Sequence, residues 1–156
     1  MKKLVFLAAI CFAVSVSAQS NKEDVDLIQA AYGKEKKEIV AEFIHMDDGA
    51  KKDAFWKLYD QYETERKRLG RKRIALLEKY AANYESMDAA ATSKNIKETA
   101  ALGLENDKLI QAYHLKIEKA AGVKPAAQFF QIESYFLSGI RVAILENIPF
   151  IGELKH

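Results

Sequence analysis

The residues from Ala50 to Ser86 read AKKDAFWKLYDQYETERKRLGRKRIALLEKYAANYES, and this stretch decides the fold. It contains no proline and one glycine, Gly70. Its apolar side chains recur at steps of three and four residues, which places them on one stripe of a helix. They are Phe55, Leu58, Tyr59, Tyr62, Leu69, Leu76, Leu77, Tyr80 and Tyr84. Such a helix spans roughly 55 Å, whereas a compact globule of this size has a radius of gyration of about 14 Å. The sequence therefore predicts an elongated molecule.

The remainder of the chain is also typical of helices. Seven glycines and two prolines in 156 residues leave few breaks, which argues against an all-β or loop-rich fold. We predict an all-α protein with four helices at about 23–46, 50–86, 93–121 and 125–147, in one domain covering residues 19–156. The Asp47-Asp48 pair is placed to cap the second helix, and Asp88 or Ser93 the third. Gly122 ends the third helix, and Pro125 suits the first turn of the fourth.

The first 18 residues have the pattern of a cleavable signal peptide. Lys2 and Lys3 precede an apolar run that is too short to span a membrane, and Val16-Ser17-Ala18 resembles a cleavage site. Cys11 lies inside the apolar run without the small residue before it that a lipid anchor requires. We therefore expect an exported, periplasmic protein without stable membrane insertion after cleavage. Removal of the leader leaves 22 basic and 22 acidic residues, so nucleic acid is not an expected partner.

The fourth helix is apolar almost all round, which indicates cover on more than one side. Phe129, Phe136 and Ile140 are its main packing candidates, and Trp56 and Ile74 form a second patch on the long helix. Four helices in an extended hairpin arrangement give a shallow core, so we expect a thin antiparallel homodimer. A compact monomeric bundle is the alternative.

The long helix carries six basic residues in eight positions, from Arg66 to Arg73. At 100° per residue, Arg66 and Arg73 fall on the apolar stripe itself, in line with Phe55, Tyr62 and Tyr80. Because unpaired buried cations are costly, this placement favours a stripe that borders water or a groove. Such a surface suits loose binding of other proteins. The alternative is a solvated helix face on which Glu63 and Glu65 pair with Lys67 and Arg68.

Catalytic and metal-binding patterns are missing from the sequence. His45, His114 and His156 do not have ligand spacing, and the chain without its leader has no cysteine. Ser134 and Ser138 lie in an apolar helix without a nucleophile-elbow motif, and there is no glycine-rich phosphate loop. We expect neither an enzyme nor a cofactor.

Several segments together resemble the Spy/CpxP-type extracytoplasmic proteins. They are the leader, FWKLYDQYE at residues 55–63, the basic stretch, LLEKY at residues 76–80 and PAAQFFQIE at residues 125–133 with Ile148-Pro149 beyond it. The family's LTxxQ repeats have no counterpart here, and only turn-and-cap character is found at residues 46–48 and 123–125. The resemblance implies a thin, curved four-helix dimer whose concave basic and apolar surface holds unfolding proteins without ATP.

Applied to this chain, the resemblance makes the basic run the client-binding surface. The candidate residues are Phe55, Tyr62, Arg66, Arg68, Arg71, Lys72, Arg73 and Tyr80. The leading hypothesis is a periplasmic holdase for unfolded or partially folded proteins. The resemblance also leaves open an envelope-stress signalling accessory that binds a membrane sensor, and a metal-binding sensor.

Overall fold

The structure is a computed structural model that describes residues 34–47 and 49–149. All regular structure in these two ranges is α-helix, which confirms the predicted all-α fold with four helices. The helices are α1 (Lys36–Phe43), α2 (Gly49–Asn83), α3 (Ala89–Ala121) and α4 (Val123–Asn147). The predicted leader, the first part of the predicted 23–46 helix and the end of the chain lie outside the described residues.

Several helix boundaries differ from the predicted ones: the predicted 23–46 helix is interrupted at Glu35, whose backbone is extended, and α4 begins two residues early at Val123. Three further differences have identifiable reasons. The first helix ends at Phe43 instead of residue 46, and its last turn closes when the Ile44 N–H bonds to the Val40 carbonyl. The second ends at Asn83, three residues early, where Ser86 N–H donates to the Asn83 carbonyl. The third begins four residues early because Asp88 caps it, accepting from the Ala91 N–H at 2.7 Å.

The long helices α2 and α3 form an antiparallel hairpin. Cross-helix ion pairs join Lys72 to Glu105 at 2.8 Å and Lys79 to Glu98 at 3.2 Å, so residue numbers rise on one helix as they fall on the other. With 35 and 33 residues, the two helices are each about 50 Å long. The described part of the molecule is therefore elongated, as the sequence predicted.

Helix α4 returns along the hairpin and gives it depth. Gly122 alone connects α3 to α4, with a φ of 107° that only glycine adopts readily. Arg141 on α4 pairs with Asp107 on α3 at 2.9 Å, which makes these two helices antiparallel. As a result α4 runs parallel to α2, and the Tyr80 hydroxyl near the end of α2 donates to the Pro149 carbonyl at 2.6 Å. Helix α4 therefore adds a third long helix to the predicted hairpin arrangement.

An aromatic core fills one end of this bundle. The Tyr62 ring lies edge-on to Phe129 at 5.0 Å between centroids and to Tyr113 at 5.6 Å, so α2, α3 and α4 meet there. Short helix α1 covers the flank formed by α2 and α4. Its Lys37 pairs with Asp60 on α2, and the Phe43 carbonyl accepts from the Gln128 side chain on α4. Burial of rings of this size is a major source of the bundle's stability.

Within residues 34–47 and 49–149, no helix has the combination of length and apolar character needed to cross a membrane.

Candidate functional site

Four of the eight predicted client-binding residues lie in the core of the bundle, which corrects their assignment. Phe55, Tyr62 and Tyr80 are buried, and Arg66 is only 7% exposed. Aromatic rings on the α2 stripe are covered because α3 packs against this stripe and Phe129 of α4 contacts the rings of Tyr59 and Tyr62. A client could not reach these four side chains in this conformation.

Arg66 is buried because its charge is neutralised one turn away on its own helix. Its Nε lies 2.9 Å from Oε1 of Glu63, and its Nη2 lies 3.2 Å from Oε2 of the same carboxylate. This two-point pairing supplies the partner that a buried arginine requires. The alternative pairing of Glu63 and Glu65 with Lys67 and Arg68 is also wrong, because Glu65 accepts instead from the Tyr113 hydroxyl at 2.7 Å.

A second cation, Lys36, completes this cluster from α1. Its Nζ lies 2.6 Å from Oε1 of Glu63 and 2.6 Å from Oε2 of Glu133. Lys36 and Glu133 are both almost fully buried. Two cations from α1 and α2 thus face two carboxylates from α2 and α4, and the charges of this buried cluster balance. We call Lys36, Glu63, Arg66 and Glu133 the ionic cluster.

Two tyrosine hydroxyls complete the coordination of Glu133. Tyr62 donates to Oε2 at 2.7 Å and Tyr59 donates to Oε1 at 3.2 Å. Burial, together with the neighbouring Glu133 carboxylate, raises the pKa of both hydroxyls well above the ordinary value of 10. Both tyrosines therefore remain protonated donors throughout the neutral range.

Opposing effects act on the Glu63 carboxylate. Burial alone would raise its pKa, but the charges of Lys36 and Arg66 and their hydrogen bonds outweigh burial and lower the pKa below its ordinary value of 4.5. Glu63 is therefore ionised at neutral pH, as the pairing with two cations requires.

The space beside the ionic cluster is too small for an organic ligand. The cavity has a volume of about 10 Å³, which is roughly the room that one water molecule needs. Its walls come from the cluster and from α3 and α4, including Asn106, Ile110 and Ile140. A structural role of the cluster, joining α1, α2 and α4, accounts for this geometry.

The other predicted client-binding residues remain nearer the surface. Arg68, Arg71 and Lys72 are exposed, whereas Arg73 is half-buried and donates from Nη2 to Asn106 Oδ1 at 3.3 Å. Helical geometry thus divides the residues of the basic run: some face solvent and others face the bundle. Of the eight predicted client-binding residues, only Arg68, Arg71 and Lys72 are fully exposed to a macromolecular partner.

Exposed leucines are also present on the third helix. Leu104 and Leu115 are each 60% exposed, and by helical bearing they share the outer surface of α3 with Lys108. On α2, Arg68 and Lys72 project from the edge that contacts α3, where Lys72 pairs with Glu105. We use the name α2–α3 face for the exposed cations and leucines of this hairpin, which are Arg68, Arg71, Lys72, Leu104, Lys108 and Leu115. The sequence analysis missed its leucines because they lie off the apolar stripe of α3.

The predicted packing residues all contribute to the protomer itself. Phe129, Phe136 and Ile140 are buried in the core. Trp56 is half-buried and lies edge-on to Phe55 at 5.1 Å and to Tyr59 at 5.4 Å. Ile74 is also half-buried. None of the three buried side chains is available to a second copy, so an interface would have to use another surface of α4.

Such a surface runs along the outside of α4. Tyr135 is 61% exposed and Val142 is 53% exposed, and both point away from the bundle. At steps of three and four residues they belong to a stripe of exposed, uncharged side chains. The stripe consists of Ala127, Gln131, Tyr135, Ser138, Val142 and Leu145. We call it the outer face of α4.

Groups of side chains suited to metal binding were sought throughout the described ranges, and none was found. His114 lies 3.7 Å from Glu118 and edge-on to Phe130, and Asp107, on the same helix, pairs instead with Arg141. Comparisons with protein-family models, with curated proteins and with solved structures find no match for this chain.

Proposed function

We propose that this protein is an exported, periplasmic chaperone that holds unfolding proteins without ATP. The observation that carries the proposal is the α2–α3 face, that is, the exposure of cations on α2 and of leucines on α3 along an elongated bundle. The sequence resemblance to Spy/CpxP-type proteins supports the same function. Arg66 and the buried aromatic residues are not part of the proposed client-binding surface.

The chemistry of this face suits transient contact with many sequences. Exposed Leu104 and Leu115 offer apolar area to the side chains of a partly unfolded protein. Arg68, Arg71 and Lys72 attract its acidic groups over distances of about 10 Å at moderate ionic strength. The long aliphatic stems of these cations add apolar area that can adapt to different clients.

The functional unit that we propose is a homodimer formed through the outer face of α4. In a two-fold dimer the same surface meets itself, so a charge near the symmetry axis approaches its own copy. The outer face of α4 carries no charged side chain across its six positions. It is therefore compatible with a second copy of itself, and Tyr135 and Val142 would provide its apolar contacts.

A second candidate function is that of a signalling accessory that binds the outer domain of one membrane sensor. A single narrow stripe such as the outer face of α4 suits one structured partner better than many unfolded ones. The two functions differ in breadth, because a holdase delays aggregation of several unrelated proteins and an accessory does not.

An aggregation assay tests the chaperone proposal. Light scattering would follow three unrelated proteins during heat- or dilution-induced aggregation, with and without an equimolar amount of this protein. We expect delayed aggregation of all three and a weaker effect at 0.5 M salt. The variant Arg68→Ser/Arg71→Ser/Lys72→Ser should lose most of the protection while keeping its helicity.

The matched control removes three exposed lysines outside this face: Lys34→Ser/Lys37→Ser/Lys124→Ser. This variant has the same net charge as the first but an intact α2–α3 face, so it should protect like the wild type. Equal protection by both variants would exclude the α2–α3 face as the binding surface. Protection of none of the three proteins would contradict the chaperone function and favour the accessory.

A further inference from the structure

The outward side of α3 carries a repeated pattern of lysine, alanine and leucine. The sequence reads KETAALGLEND at residues 97–107 and KLIQAYHLKIE at residues 108–118, and the first, fifth and eighth positions of the two segments match. A third lysine follows directly at position 119. The side chains of this pattern are all exposed. We call them the lysine stripe, which consists of Lys97, Ala101, Leu104, Lys108, Ala112, Leu115 and Lys119.

The eleven-residue repeat keeps this stripe straight. Eleven residues complete three turns of an α-helix and exceed them by only about 20°, so matching positions stay on one side of the helix. From Lys97 to Lys119 the stripe is about 33 Å long. The buried side chains of α3, among them Leu102, Ile110 and Tyr113, lie on the opposite side of the helix and face the bundle. The stripe is therefore a straight row on the outside of the molecule.

Packing separates the charges of α3. Its acidic residues all turn toward neighbouring basic side chains, and they are Glu98, Glu105, Asp107 and Glu118. The first two pair with lysines of α2, the third pairs with an arginine of α4, and the fourth lies 3.7 Å from His114. The three lysines of the stripe have no acidic partner within residues 34–47 and 49–149. The stripe thus presents positive charge that the protomer itself does not neutralise.

We propose that the lysine stripe lies flat on the surface of an anionic phospholipid bilayer. Its ammonium groups contact the lipid phosphates, and Leu104 and Leu115 enter between the headgroups. The two alanines allow the helix to approach the plane of the phosphates closely. The lysine stems add apolar contact while their charged ends stay at the level of the phosphates.

The spacing of the stripe fits a planar partner better than another helix. Its two leucines are about 16 Å apart along the helix, which is too far for the continuous apolar seam that joins a pair of helices. A second copy of this chain would bring lysines toward lysines near a two-fold axis. A bilayer offers phosphates and apolar area at every point of its surface, so the whole row can contact it at once.

Lipid binding by the stripe goes beyond the proposed chaperone function and does not rest on it. Leu104, Lys108 and Leu115 belong to both the stripe and the α2–α3 face. The aggregation assay contains no lipid, and the vesicle experiment contains no client protein. Failure of one proposal is therefore distinguishable from failure of the other.

A fluorescent label tests the proposal in the full chain carrying Cys11→Ser, which removes the natural thiol. An environment-sensitive dye would be attached at Ala112→Cys in the middle of the stripe or, separately, at Ser138→Cys on the outer face of α4. Vesicles of phosphatidylglycerol and phosphatidylcholine in equal parts should shift the emission of the dye at residue 112 to the blue and leave the dye at residue 138 unchanged. Vesicles of phosphatidylcholine alone should shift neither. Each signal comes from its labelled site, so it reports on that surface of the protein.

Removal of the stripe's charge should weaken the binding. In the chain labelled at residue 112, Lys97→Gln/Lys108→Gln/Lys119→Gln should raise the lipid concentration for a half-maximal shift about 100-fold. The reason is that each lysine near an anionic surface contributes about fivefold to the affinity. Addition of 0.5 M salt should weaken the binding of the unsubstituted stripe in the same direction.

The matched control removes three exposed lysines from other surfaces, as Lys34→Gln/Lys37→Gln/Lys67→Gln, and should bind vesicles like the unsubstituted protein. Equal loss of affinity in the two triple variants would overturn the proposal. So would the absence of a shift at residue 112 with anionic vesicles, or equal shifts at residues 112 and 138. An equal shift at residue 112 with soluble polyglutamate would also overturn it and assign the stripe to an acidic polypeptide.

Discussion

The Nζ of Lys36 lies 2.6 Å from Oε2 of Glu133, and the two residues are 97 positions apart in the chain. Both side chains are buried, so each charge depends on the other and on the hydroxyls and ions around them. Removal of one partner from a buried ion pair leaves an uncompensated charge, which commonly costs about 3–5 kcal/mol. Replacement of both partners by apolar groups avoids that penalty.

The first prediction follows from this pair. Glu133→Leu should lower the free energy of unfolding by about 3–5 kcal/mol because Lys36 is left buried without one of its two carboxylates. The double variant Lys36→Met/Glu133→Leu should recover a large part of the loss. Urea denaturation followed by circular dichroism measures both. The control is Lys37→Met, which removes an exposed neighbour of Lys36 and should change stability little. Additive losses in the double variant would show that the two residues are not coupled.

Acid should destabilise the bundle through Glu63. Its pKa is lower in the folded protein than in the unfolded chain, where it is near 4.5. The unfolded chain therefore takes up the proton first, and the stability that Glu63 contributes is present above about pH 4.5 and is lost as the pH falls through the folded value. Thermal midpoints between pH 3 and pH 7 measure this. Glu63→Gln should be less stable at pH 7 and should show a shallower decline in acid. A decline as steep as that of the wild type would assign the effect to other carboxylates.

The conformation of Gly122 leads to a prediction with an internal control. Its φ of 107° and ψ of 169° lie in a region that is essentially limited to glycine. Gly122→Ala should therefore cost about 1–3 kcal/mol, although a Cβ there would meet no neighbour. Gly139 lies in the middle of α4 with open space around it, so Gly139→Ala should stabilise the protein by up to about 1 kcal/mol. Denaturation curves measure the free energy of unfolding of both variants. A change in the same direction for the two would contradict this account.

Two substitutions on α4 distinguish its buried side from its outer face. Phe136→Asp places a charge in the core and should unfold the protomer. Val142→Asp places a charge on the outer face of α4 and should leave helicity unchanged. If the protein dimerises through this face, sedimentation will show a shift of the Val142→Asp variant toward monomer. An unchanged assembly would exclude the outer face of α4 as the interface.

Local signals predicted much of the fold. The periodicity of residues 50–86, the cap at Asp88 and the stop at Gly122 each depend on neighbours within a few positions, which are visible in a sequence. The burial of Arg66, in contrast, depends on residues that are distant in the chain. Its partner Glu63 is one turn away, but the same carboxylate also pairs with Lys36, and the cover comes from α3 and α4. The periodicity placed Arg66 on the stripe correctly and could not show that the stripe was closed.

The candidate site was harder to predict than the fold for a related reason. Exposure of Arg68, Arg71 and Lys72 follows from helical bearing, and the structure leaves all three exposed. Leu104 and Leu115 are visible as apolar residues off the main stripe of α3, but an isolated exposed leucine is common on protein surfaces. Only the packing of α3 beside α2 places these leucines and the cations on one hairpin.

The position of α1 between α2 and α4 has a consequence for biosynthesis. The chain leaves the ribosome from its N-terminus, so Lys36 is available long before Glu133 has been made. The hairpin of α2 and α3 can form from contacts that are close in sequence, but α1 can pack against α4 only after α4 has been made. Final assembly must therefore wait until nearly the whole chain has emerged, and a truncated product ending before residue 133 would leave Lys36 with Glu63 as the one remaining carboxylate of the ionic cluster.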